Sequence, residues 1–310
     1  MPNMPFAKEV GYCRYFARRI LWKLNARLFR RTLMFPLATG RAFPLPPDNF
    51  FASDVFVSRG NVDWNCEYLL AKYLASAEKP GAFLDVGAHI GYYSALMSPL
   101  VRSCYSFEPD GRNMERLRLA LGGCDNVEII PKAVADSVGT AFLDVSAESS
   151  ISHLAASGST AVEVTTIDAF CAQHPGIRVS GVKIDIEGFD ILALEGAMDT
   201  ARNQRPVFLI EFGIESGRPN SPERLQRFIE SAGYRLFAFC RSDPSFFRCA
   251  YRFKELETGQ LASEWIRMLF LAPRECGFFQ DLSQLLPDAL ARPLRPGPAL
   301  EFLRDTPLRP

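Results

Sequence analysis

Short runs of apolar residues recur along the central part of the chain, and stretches with helical spacing separate them. The apolar runs are AFLDV (82–86), SCYSF (103–107), VEII (127–130), VKIDI (182–186) and PVFLIEF (206–212). The helical stretches are 92–100, 111–121 and 191–201. Continuously apolar strands that alternate with helices are typical of a parallel sheet covered on both faces. The pattern therefore predicts an α/β fold.

Further apolar stretches add strands to this plan. TAFLDV (140–145) and AVEVTTI (161–167) predict a short β insertion around a serine-rich loop, and YRLFAFC (234–240) and IRMLFLA (266–272) predict a closing strand pair. Nearer the start, DVFVS (54–58) predicts one more strand. A helix is expected over 66–78 before Pro80 and Gly81.

The pattern divides the chain of 310 residues into three parts. Residues 1–52 hold a basic helix and a linker rich in Pro and Phe, and residues 53–288 hold the sheet. Residues 289–310 form a tail rich in Pro and Arg that we expect to be irregular. The whole chain has 48% hydrophobic residues, which is sufficient for one large domain with a thick core.

The cysteines and the charge exclude several classes of protein. Eight cysteines are scattered without a CxxC pair, which argues against a zinc ribbon or a disulfide scaffold and favours reduced thiols in a cytoplasmic protein. The net charge is zero, but residues 1–43 carry nine Lys or Arg and one acidic residue, Glu9. The rest of the chain therefore carries a net charge of −8, and we predict no nucleic-acid partner.

The basic segment YFARRILWKLNARLFRR (15–31) has the spacing of an amphipathic helix. Phe16, Ile20, Leu24 and Leu28 lie four residues apart, and basic residues occupy much of the remaining surface. We expect the apolar stripe to pack on the domain. The alternative is that residues 14–31 contact an anionic membrane surface or a partner. No apolar run approaches the 18 residues of a membrane span.

The turn in FLDVGAHIGYYS (83–94) indicates a particular cofactor. Asp85, Gly87 and Gly91 have the spacing D-x-G-x-x-x-G, whereas a dinucleotide site usually has G-x-G-x-x-G. His89 replaces the middle glycine of that fingerprint, which argues against a bound pyrophosphate. A carboxylate at the end of a strand suits a cofactor that bears a cation. S-adenosylmethionine carries an ammonium and a sulfonium and has no phosphate.

Two acidic motifs follow the glycine turn. Glu108 in YSFEPD lies 21 residues past Gly87, where a carboxylate can accept hydrogen bonds from both ribose hydroxyls. In VKIDIEGFD (182–190), the ionisable residues alternate and point the same way if the strand continues far enough; they are Lys183, Asp185 and Glu187. Because such groups are costly to bury, they form either a structural ion pair or a functional cluster.

In order and spacing, these motifs resemble the FkbM-type methyltransferases. The resemblance rests on DVGAHIGYYS, FEPD, VTTID, VKIDIEGFD followed by LEGAMD, and RPVFLIEF, and it covers residues 65–272. It implies S-adenosylmethionine as the cofactor. It also implies a Rossmann-like class I methyltransferase fold, with a mostly parallel seven-stranded sheet and helices on both faces.

The resemblance also implies a role for each matching residue. The segment Ala133–Asp136 would lie near the adenine, Glu108 would hold the ribose, and the glycine turn would hold the methionine side. Asp185 and Glu187 would face the methyl-transfer region, and Glu211 would lie beside it at the end of its strand. The implied cofactor-binding residues are Asp85, Gly87, His89, Gly91, Glu108, Ala133 and Asp185. His89 stands where the family usually has Asn, and a neutral His can replace Asn as donor and acceptor within the loop.

A hydroxyl acceptor needs a base, because it is a poor nucleophile at pH 7. We expect Glu187 to be this base, with Asp185 as positioner or second base and His153 of the serine-rich loop as the next candidate. The carboxylates at 185 and 187 suggest a divalent metal as an alternative. Because there is no third clear ligand, no metal site is predicted.

The predicted function is the S-adenosylmethionine-dependent O-methylation of a hydroxyl on a small metabolite or a sugar or glycan. The absence of a DPPY- or NPPY-like tetrapeptide favours oxygen as the acceptor atom. Two alternatives are an NAD-type oxidoreductase and a non-catalytic adaptor of the same fold that binds a membrane or partner through its basic helix. The loops expected to face the acceptor, 146–160 and 241–262, carry no signature that identifies it.

Overall fold

A computed structural model of the chain describes residues 6–77, 80–144, 153–155, 160–213, 218–245 and 248–285. The predicted tail, 289–310, and most of the serine-rich loop lie outside these ranges. The helices are α1 (Ala7–Val10), α2 (Tyr12–Leu24), α3 (Phe50–Ser58), α4 (Cys66–Ala75), α5 (Tyr92–Met97), α6 (Gly111–Leu121), α7 (Ile167–Gln173), α8 (Asp190–Glu195), α9 (Met198–Gln204), α10 (Pro222–Ala232) and α11 (Gly277–Leu285).

A π-helical turn, Asn25–Phe29, continues α2, and single 3₁₀ segments lie at Ser98–Leu100 and Thr258–Ser263. The strands are β1 (Leu33–Pro36), β2 (Ala42–Leu45), β3 (Ala82–Val86), β4 (Ser103–Phe107), β5 (Val127–Ile130), β6 (Ala133–Val134), β7 (Gly139–Asp144), β8 (His153–Ala155), β9 (Thr160–Thr165), β10 (Val179–Ile184), β11 (Val207–Glu211), β12 (Tyr234–Ser245), β13 (Arg248–Leu256) and β14 (Met268–Pro273).

The main sheet has eight strands in the order β13-β12-β14-β11-β10-β3-β4-β5. The five strands from β11 to β5 in this order are parallel, and the other three are antiparallel to their neighbours. The α/β prediction is confirmed, with one strand more than the seven expected. The additional strand, β13, forms a long hairpin with β12, so much of the segment 241–262 is strand and not the loop that we expected.

The apolar core lies on both faces of this sheet. Phe83 and Leu209 join one apolar cluster, while their chain neighbours Leu84 and Phe208 join another. Successive residues of a strand point to opposite faces, so both faces of the parallel part are buried. This explains why its strands are continuously apolar.

Two predicted elements differ from the structure. Residues 54–58 belong to helix α3 and not to a strand, because Asn49 caps this helix by accepting a hydrogen bond from the N–H of Ala52 at 2.9 Å. A continuous apolar run suits a buried helix as well as a strand. The predicted domain boundary between residues 52 and 53 falls inside α3. The helix expected over 191–201 is split at Gly196, where a Cβ would lie 2.1 Å from the carbonyl oxygen of Ala135.

The predicted β insertion is present as a second sheet of four strands in the order β6-β9-β7-β8. Strands β7 and β9 pair antiparallel, as their sequences predicted. Strand β6 pairs parallel to β9 and connects this small sheet to the edge of the main one. His153 lies in β8, where its backbone pairs with Asp144.

The predicted basic helix exists, but it packs on the domain through the opposite face. Tyr15 and Trp22 are buried, and Nε of Arg18 donates a hydrogen bond to the carbonyl oxygen of Phe56 at 2.8 Å. The Arg18 guanidinium also lies 4.2 Å from the centre of the Phe56 ring. The side chains of the expected stripe are exposed by 43–70%: Phe16, Ile20, Leu24 and Leu28. The expectation that this stripe packs on the domain is therefore wrong.

Within the described ranges, every helix is too short or too polar to cross a bilayer.

Candidate active site

A cavity of about 350 Å³ opens at the carboxyl ends of the parallel strands. The strand order reverses between β3 and β10, and such a point leaves a crevice in which ligands of α/β sheets bind. Among the acidic residues that line the cavity, four come from or directly follow the ends of four different strands: Asp85 in β3, Glu108 after β4, Asp185 after β10 and Glu211 in β11. The sheet therefore brings together acidic residues that are far apart in sequence.

The two glycines of the first turn allow close packing of the loop after β3. Gly87 has φ +77°, and a Cβ on it would lie 2.0 Å from the carbonyl oxygen of Asp185. Gly91 has φ +90°, and a Cβ there would lie 2.7 Å from Cδ1 of Leu117 in α6. Both positions favour glycine for conformational reasons as well. The spacing D-x-G-x-x-x-G is thus explained by contacts of this loop with the loop after β10 and with α6.

Glu108 connects the loop after β3 with the loop after β4 at one wall of the cavity. Its carboxylate accepts hydrogen bonds from the backbone N–H of His89 at 2.8 Å and of Asp110 at 2.9 Å. The side-chain amide of Asn113 donates a weaker one at 3.4 Å. Burial raises the pKa of Glu108 to about 7, although these hydrogen bonds oppose the shift.

His89 has contacts that support the shape of the loop. It adopts φ +52°, and its Nε2 lies 3.4 Å from the side-chain nitrogen of Asn49. Its ring packs edge-on against Phe51. Burial, followed by the charge of Lys183, lowers the pKa of His89 to about 4, so the ring is neutral at pH 7. These contacts agree with the loop-supporting role expected for this residue.

The centre of the cavity contains the ion pairs of Lys183. Its Nζ lies 3.2 Å from Asp185 and 3.9 Å from Asp85, and it donates a hydrogen bond to the carbonyl oxygen of Gly87 at 3.1 Å. Burial alone would lower the pKa of Lys183, but Asp185 and Asp85 raise it, and the ammonium stays charged. Lys183 therefore forms the structural ion pair that the sequence left open, and it also holds the glycine turn.

Asp85 is fully buried beneath the turn. The hydroxyl of Ser94 donates a hydrogen bond to its Oδ2 at 2.5 Å. Its Oδ1 has no hydrogen-bond partner among the described residues, and burial raises the pKa of this carboxyl. A buried carboxylate oxygen without a donor is costly, and a cationic ligand or a hydrogen-bond donor in the cavity would relieve that cost.

Asp185 and Glu211 form a hydrogen-bonded carboxyl pair. Burial raises the pKa of Asp185, but the charge of Lys183 and the hydrogen bonds from Glu211 and Lys183 together outweigh it, so that the pKa is lowered and Asp185 is ionised. The charge of Asp185, together with burial, raises the pKa of Glu211 well above its usual range. Glu211 therefore carries the proton of the pair. The Asp185 side chain remains 32% exposed, which leaves part of the carboxylate accessible from the cavity.

Glu187 occupies a different position from the one that strand alternation suggests. Strand β10 ends at Ile184, and Glu187 lies in the following turn with φ +56°, exposed but still at the cavity lining. Asp190 organises this turn, since its carboxylate accepts hydrogen bonds from the N–H of Ile186 at 2.9 Å and of Gly188 at 3.2 Å. The predicted first base therefore lies at the rim of the cavity, and Asp185 lies deeper.

The remaining predicted residues lie in the small sheet. Ala133 is buried in β6 and lines the cavity with Val134 and Leu143, which gives this wall an apolar character. His153 lies in β8, and its side chain is outside the described part of the structure. Of the predicted catalytic residues, Asp185 and Glu187 line the same cavity.

Sequence reasoning missed three further residues that line the cavity: Asp63, Tyr93 and Arg267. Nε of Arg267 donates a hydrogen bond to Asp63 at 2.6 Å, and the hydroxyl of Tyr93 donates one to the same carboxylate at 2.7 Å. The only available signal was Arg267 itself, an Arg within the apolar stretch IRMLFLA. Asp63 belongs to a loop without periodicity, so nothing in its sequence context indicated a function.

In the described ranges, no three or more His, Cys, Asp or Glu side chains are grouped so that they could hold a metal ion. The cysteines do not pair with one another, and five of the eight are buried: Cys66, Cys104, Cys124, Cys240 and Cys249.

The cavity fits a cofactor that combines a purine, a ribose and a cationic chain. An apolar wall of Phe107, Val134 and Leu143 suits a purine ring, and the Glu108 carboxylate lies beside it. Oδ1 of Asp85, which has an ion-pair contact of 3.9 Å with Nζ of Lys183 but no hydrogen-bond donor among the described residues, belongs to the charged part of the cavity. These donor and acceptor types are those expected for the S-adenosylmethionine site.

Comparison with known proteins identifies a family. Residues 85–236 match the model of the methyltransferase FkbM domain. Among solved structures, methyltransferase FkbM from Methylobacillus flagellatus KT is 14% identical with a TM-score of 0.40, over 85% of this chain and 60% of that one. The chain thus spans less than two thirds of that protein. No curated protein matches this chain.

Two other structures resemble the chain more distantly over most of their own length. Precorrin-6y C5,15-methyltransferase from Geobacter metallireducens GS-15 is 10% identical over 66% of this chain and 86% of that one, with a TM-score of 0.37. TYW2 of M. jannaschii, solved in complex with AdoMet, is 14% identical over 75% and 81%, with a TM-score of 0.35. These likenesses are too weak to bear on an acceptor or a partner.

Proposed function

Since residues 85–236 belong to the FkbM methyltransferase family, we propose that the protein transfers the methyl group of S-adenosylmethionine to a hydroxyl oxygen of a small metabolite or of a sugar or glycan. The family match confirms the predicted family and cofactor. The oxygen acceptor and its class are the proposal. It is carried by one observation: Asp185 is an ionised carboxylate that is partly exposed within the cavity, next to the glycine turn.

The chain offers a distinct group for each part of the cofactor. Glu108 would accept hydrogen bonds from the ribose hydroxyls, and the apolar wall at Ala133 and Val134 would contact the adenine. The turn at Gly87, with Asp85 beneath it, would hold the methionine side. When bound, the cofactor supplies an electrophilic methyl group on a positively charged sulfur.

Asp185 is suited to receive the proton of an acceptor hydroxyl. Lys183 on one side and protonated Glu211 on the other fix the carboxylate in place. Asp185 would accept the hydroxyl proton as the acceptor oxygen bonds to the methyl carbon, and the sulfur of the cofactor would keep the electrons of the broken carbon–sulfur bond. Alignment of the acceptor by the walls of the cavity contributes further to the rate enhancement. Glu187 at the rim is the second candidate for the base.

Titration with S-adenosylhomocysteine, with NAD in parallel, tests the cofactor site first. Binding of S-adenosylhomocysteine alone supports the proposal, binding of NAD would favour an oxidoreductase, and binding of neither would favour the non-catalytic adaptor. A screen of hydroxyl-bearing metabolites and sugars with radiolabelled methyl donor then identifies acceptors. Products methylated on nitrogen or carbon, and not on oxygen, would overturn the proposed chemistry.

A cytoplasmic location is part of this proposal. The unpaired cysteines support it, because reduced thiols are usual in that compartment. Fractionation of cells that express the full chain tests the location.

A further inference from the structure

Helix α2 and the π-helical turn present an unusual apolar face to solvent. Twelve large apolar side chains are exposed among the described residues, and half of them lie in this one segment. We call these the α2 apolar face: Phe16, Ile20, Leu21, Leu24, Leu28 and Phe29. Each is exposed by 43–70%. Contiguous apolar surface of this kind marks an interaction site in soluble proteins.

Positive charge accompanies the α2 apolar face. The exposed basic residues of the same segment are Arg14, Lys23, Arg27, Arg30 and Arg31. No acidic residue occurs between positions 10 and 47. Arg18 and Arg19 are excluded from this set, because they point toward α3. The surface is thus apolar and cationic together, which complements an apolar and anionic partner.

The orientation of α2 is held by specific contacts with α3. Arg18 binds the carbonyl oxygen of Phe56, the Trp22 ring lies 5.5 Å from the Phe56 ring, and Nη1 of Arg19 donates a hydrogen bond to Ser53 at 3.1 Å. Turning the apolar face inward would break all of these contacts and would bury the exposed Lys23 and its neighbours. The exposed face is therefore a stable feature of the fold.

We propose that the α2 apolar face docks the protein on an anionic lipid bilayer. Apolar side chains of such a helix enter the boundary between headgroups and acyl chains, while Lys and Arg contact lipid phosphates. Long basic side chains at the edge of the apolar stripe can reach those phosphates as the helix lies in the interface. A bilayer offers both the apolar interior and the anionic groups that complement this surface. A protein partner would need an apolar pocket surrounded by acidic side chains.

The charge of the remaining chain sets the orientation of docking. Beyond residue 43 the chain carries a net charge of −8, which an anionic surface repels, while residues 1–43 are attracted. Docking would also bring the cavity close to the bilayer. Helix α2 packs on α3, and Phe50, Phe51 and Asp54 of α3 line the cavity. The inference does not depend on which acceptor is methylated.

Flotation of the full chain with vesicles tests the inference. We expect binding to vesicles of phosphatidylcholine with phosphatidylglycerol and little binding to phosphatidylcholine alone. Binding should weaken as salt rises, since the Debye length falls from about 10 Å at 0.1 M to about 3 Å at 1 M. Absence of binding to the anionic vesicles at low salt would overturn the proposal.

Paired variants separate lipid docking from general effects. The double variant Lys23→Glu/Arg27→Glu should lower the partition coefficient by roughly twentyfold or more, about fivefold for each lost basic residue. The double variant Ile20→Asp/Leu24→Asp should lower it at least as far. The matched controls lie on α6, where Arg118 and Leu119 are exposed. Arg118→Glu and Leu119→Asp should bind vesicles as the parent does.

Size-exclusion chromatography and S-adenosylhomocysteine titration complete the test. All variants should bind S-adenosylhomocysteine as the parent does, which shows that the fold is intact. If the parent is a dimer that Ile20→Asp/Leu24→Asp dissociates, and the parent does not bind the anionic vesicles, a second copy of the chain occupies this face and the lipid proposal is wrong. Equal vesicle binding by the α2 and α6 variants would also overturn it.

Discussion

The two halves of the cavity are built in different ways. In the half proposed to bind the cofactor, which we call the cofactor half, Glu108 is held by backbone N–H groups of His89 and Asp110, and all three belong to the first two loops of the sheet. In the half proposed to bind the acceptor, the acceptor half, charged side chains come from four separated segments: Asp63, Asp185, Glu211 and Arg267. They are held by other side chains and by each other's charges.

This difference has a physical consequence for substitutions. A backbone N–H donor survives the replacement of the residue that carries it, so the cofactor half tolerates changes around Glu108. In the acceptor half each charge determines the protonation of its neighbour, as Asp185 does for Glu211, and one replacement changes several groups. We therefore expect variants of the cofactor half to change affinity, and variants of the acceptor half to change the rate of transfer.

The largest effect is expected for Asp185→Asn. Loss of the proton acceptor should slow methyl transfer to a hydroxyl acceptor by about 10²–10⁴-fold. Affinity for S-adenosylhomocysteine should change far less. The rate is measured at saturating cofactor with an acceptor from the screen. Glu187→Gln is the matched control and should be nearly as fast as the parent. If Glu187→Gln slows methyl transfer and Asp185→Asn does not, the base is Glu187 at the rim of the cavity.

The next largest effect is expected for Glu108→Ala. If Glu108 binds the ribose as proposed, removal of its carboxylate should cost about 1–3 kcal/mol of binding free energy, or roughly 5- to 150-fold in Kd. Calorimetric titration with S-adenosylhomocysteine measures it. Glu115→Ala, an exposed residue on the neighbouring helix α6, serves as the control and should not change Kd. An unchanged Kd for Glu108→Ala would remove the ribose role from this residue.

A smaller effect is expected from pH. Only the ionised form of Glu108 can accept hydrogen bonds from both ribose hydroxyls, and burial raises its pKa to about 7. Its ionised fraction therefore falls as the pH drops through 7, and S-adenosylhomocysteine should bind about tenfold more weakly at pH 6 than at pH 8. His89, with its pKa lowered to about 4, stays neutral throughout. In the Glu108→Gln variant, Kd for S-adenosylhomocysteine should no longer depend on pH in this range. If the pH dependence persists in Glu108→Gln, another group is responsible for it.

The smallest effect is expected for His89→Asn, which restores the residue typical of the family. Asn adopts a positive φ more readily than His, and the N–H that binds Glu108 is part of the backbone. We expect Kd for S-adenosylhomocysteine to change by less than about threefold, since the ring contacts Asn49 and Phe51 outside the Glu108 hydrogen bonds. A larger loss of affinity would show that the imidazole itself contacts the cofactor.

The cofactor half was predictable because its residues follow strands in a short and ordered segment. The glycine spacing and the position of Glu108 are local properties of the chain, and the parallel sheet then places them at one edge. The acceptor half was not predictable beyond Asp185, Glu187 and Glu211. Asp63 and Arg267 are 204 residues apart and meet only because β14 is inserted between β11 and β12. No periodicity connects two such positions.

Helices α10 and α2 also show which properties the sequence determines and which the tertiary structure determines. Helix α10 buries its apolar residues Leu225, Phe228 and Ile229, and the Phe228 ring packs 5.9 Å from that of Phe208. Helix α2 has a similar apolar stripe but exposes it. The chain by itself determined that both segments are helices with two faces, because a helical period depends only on nearby residues.

Which face packs inward was decided by the surface that each helix meets. The sheet offers α10 an apolar surface that includes the rings of Phe208 and Tyr234. Helix α3 offers α2 the carbonyl oxygen and ring of Phe56, and these bind the Arg18 guanidinium. The chain thus determined the strands, the cofactor motifs and the basic charge of α2. The tertiary structure decided the acceptor half and the outward face of α2, because those depend on contacts between segments distant in sequence.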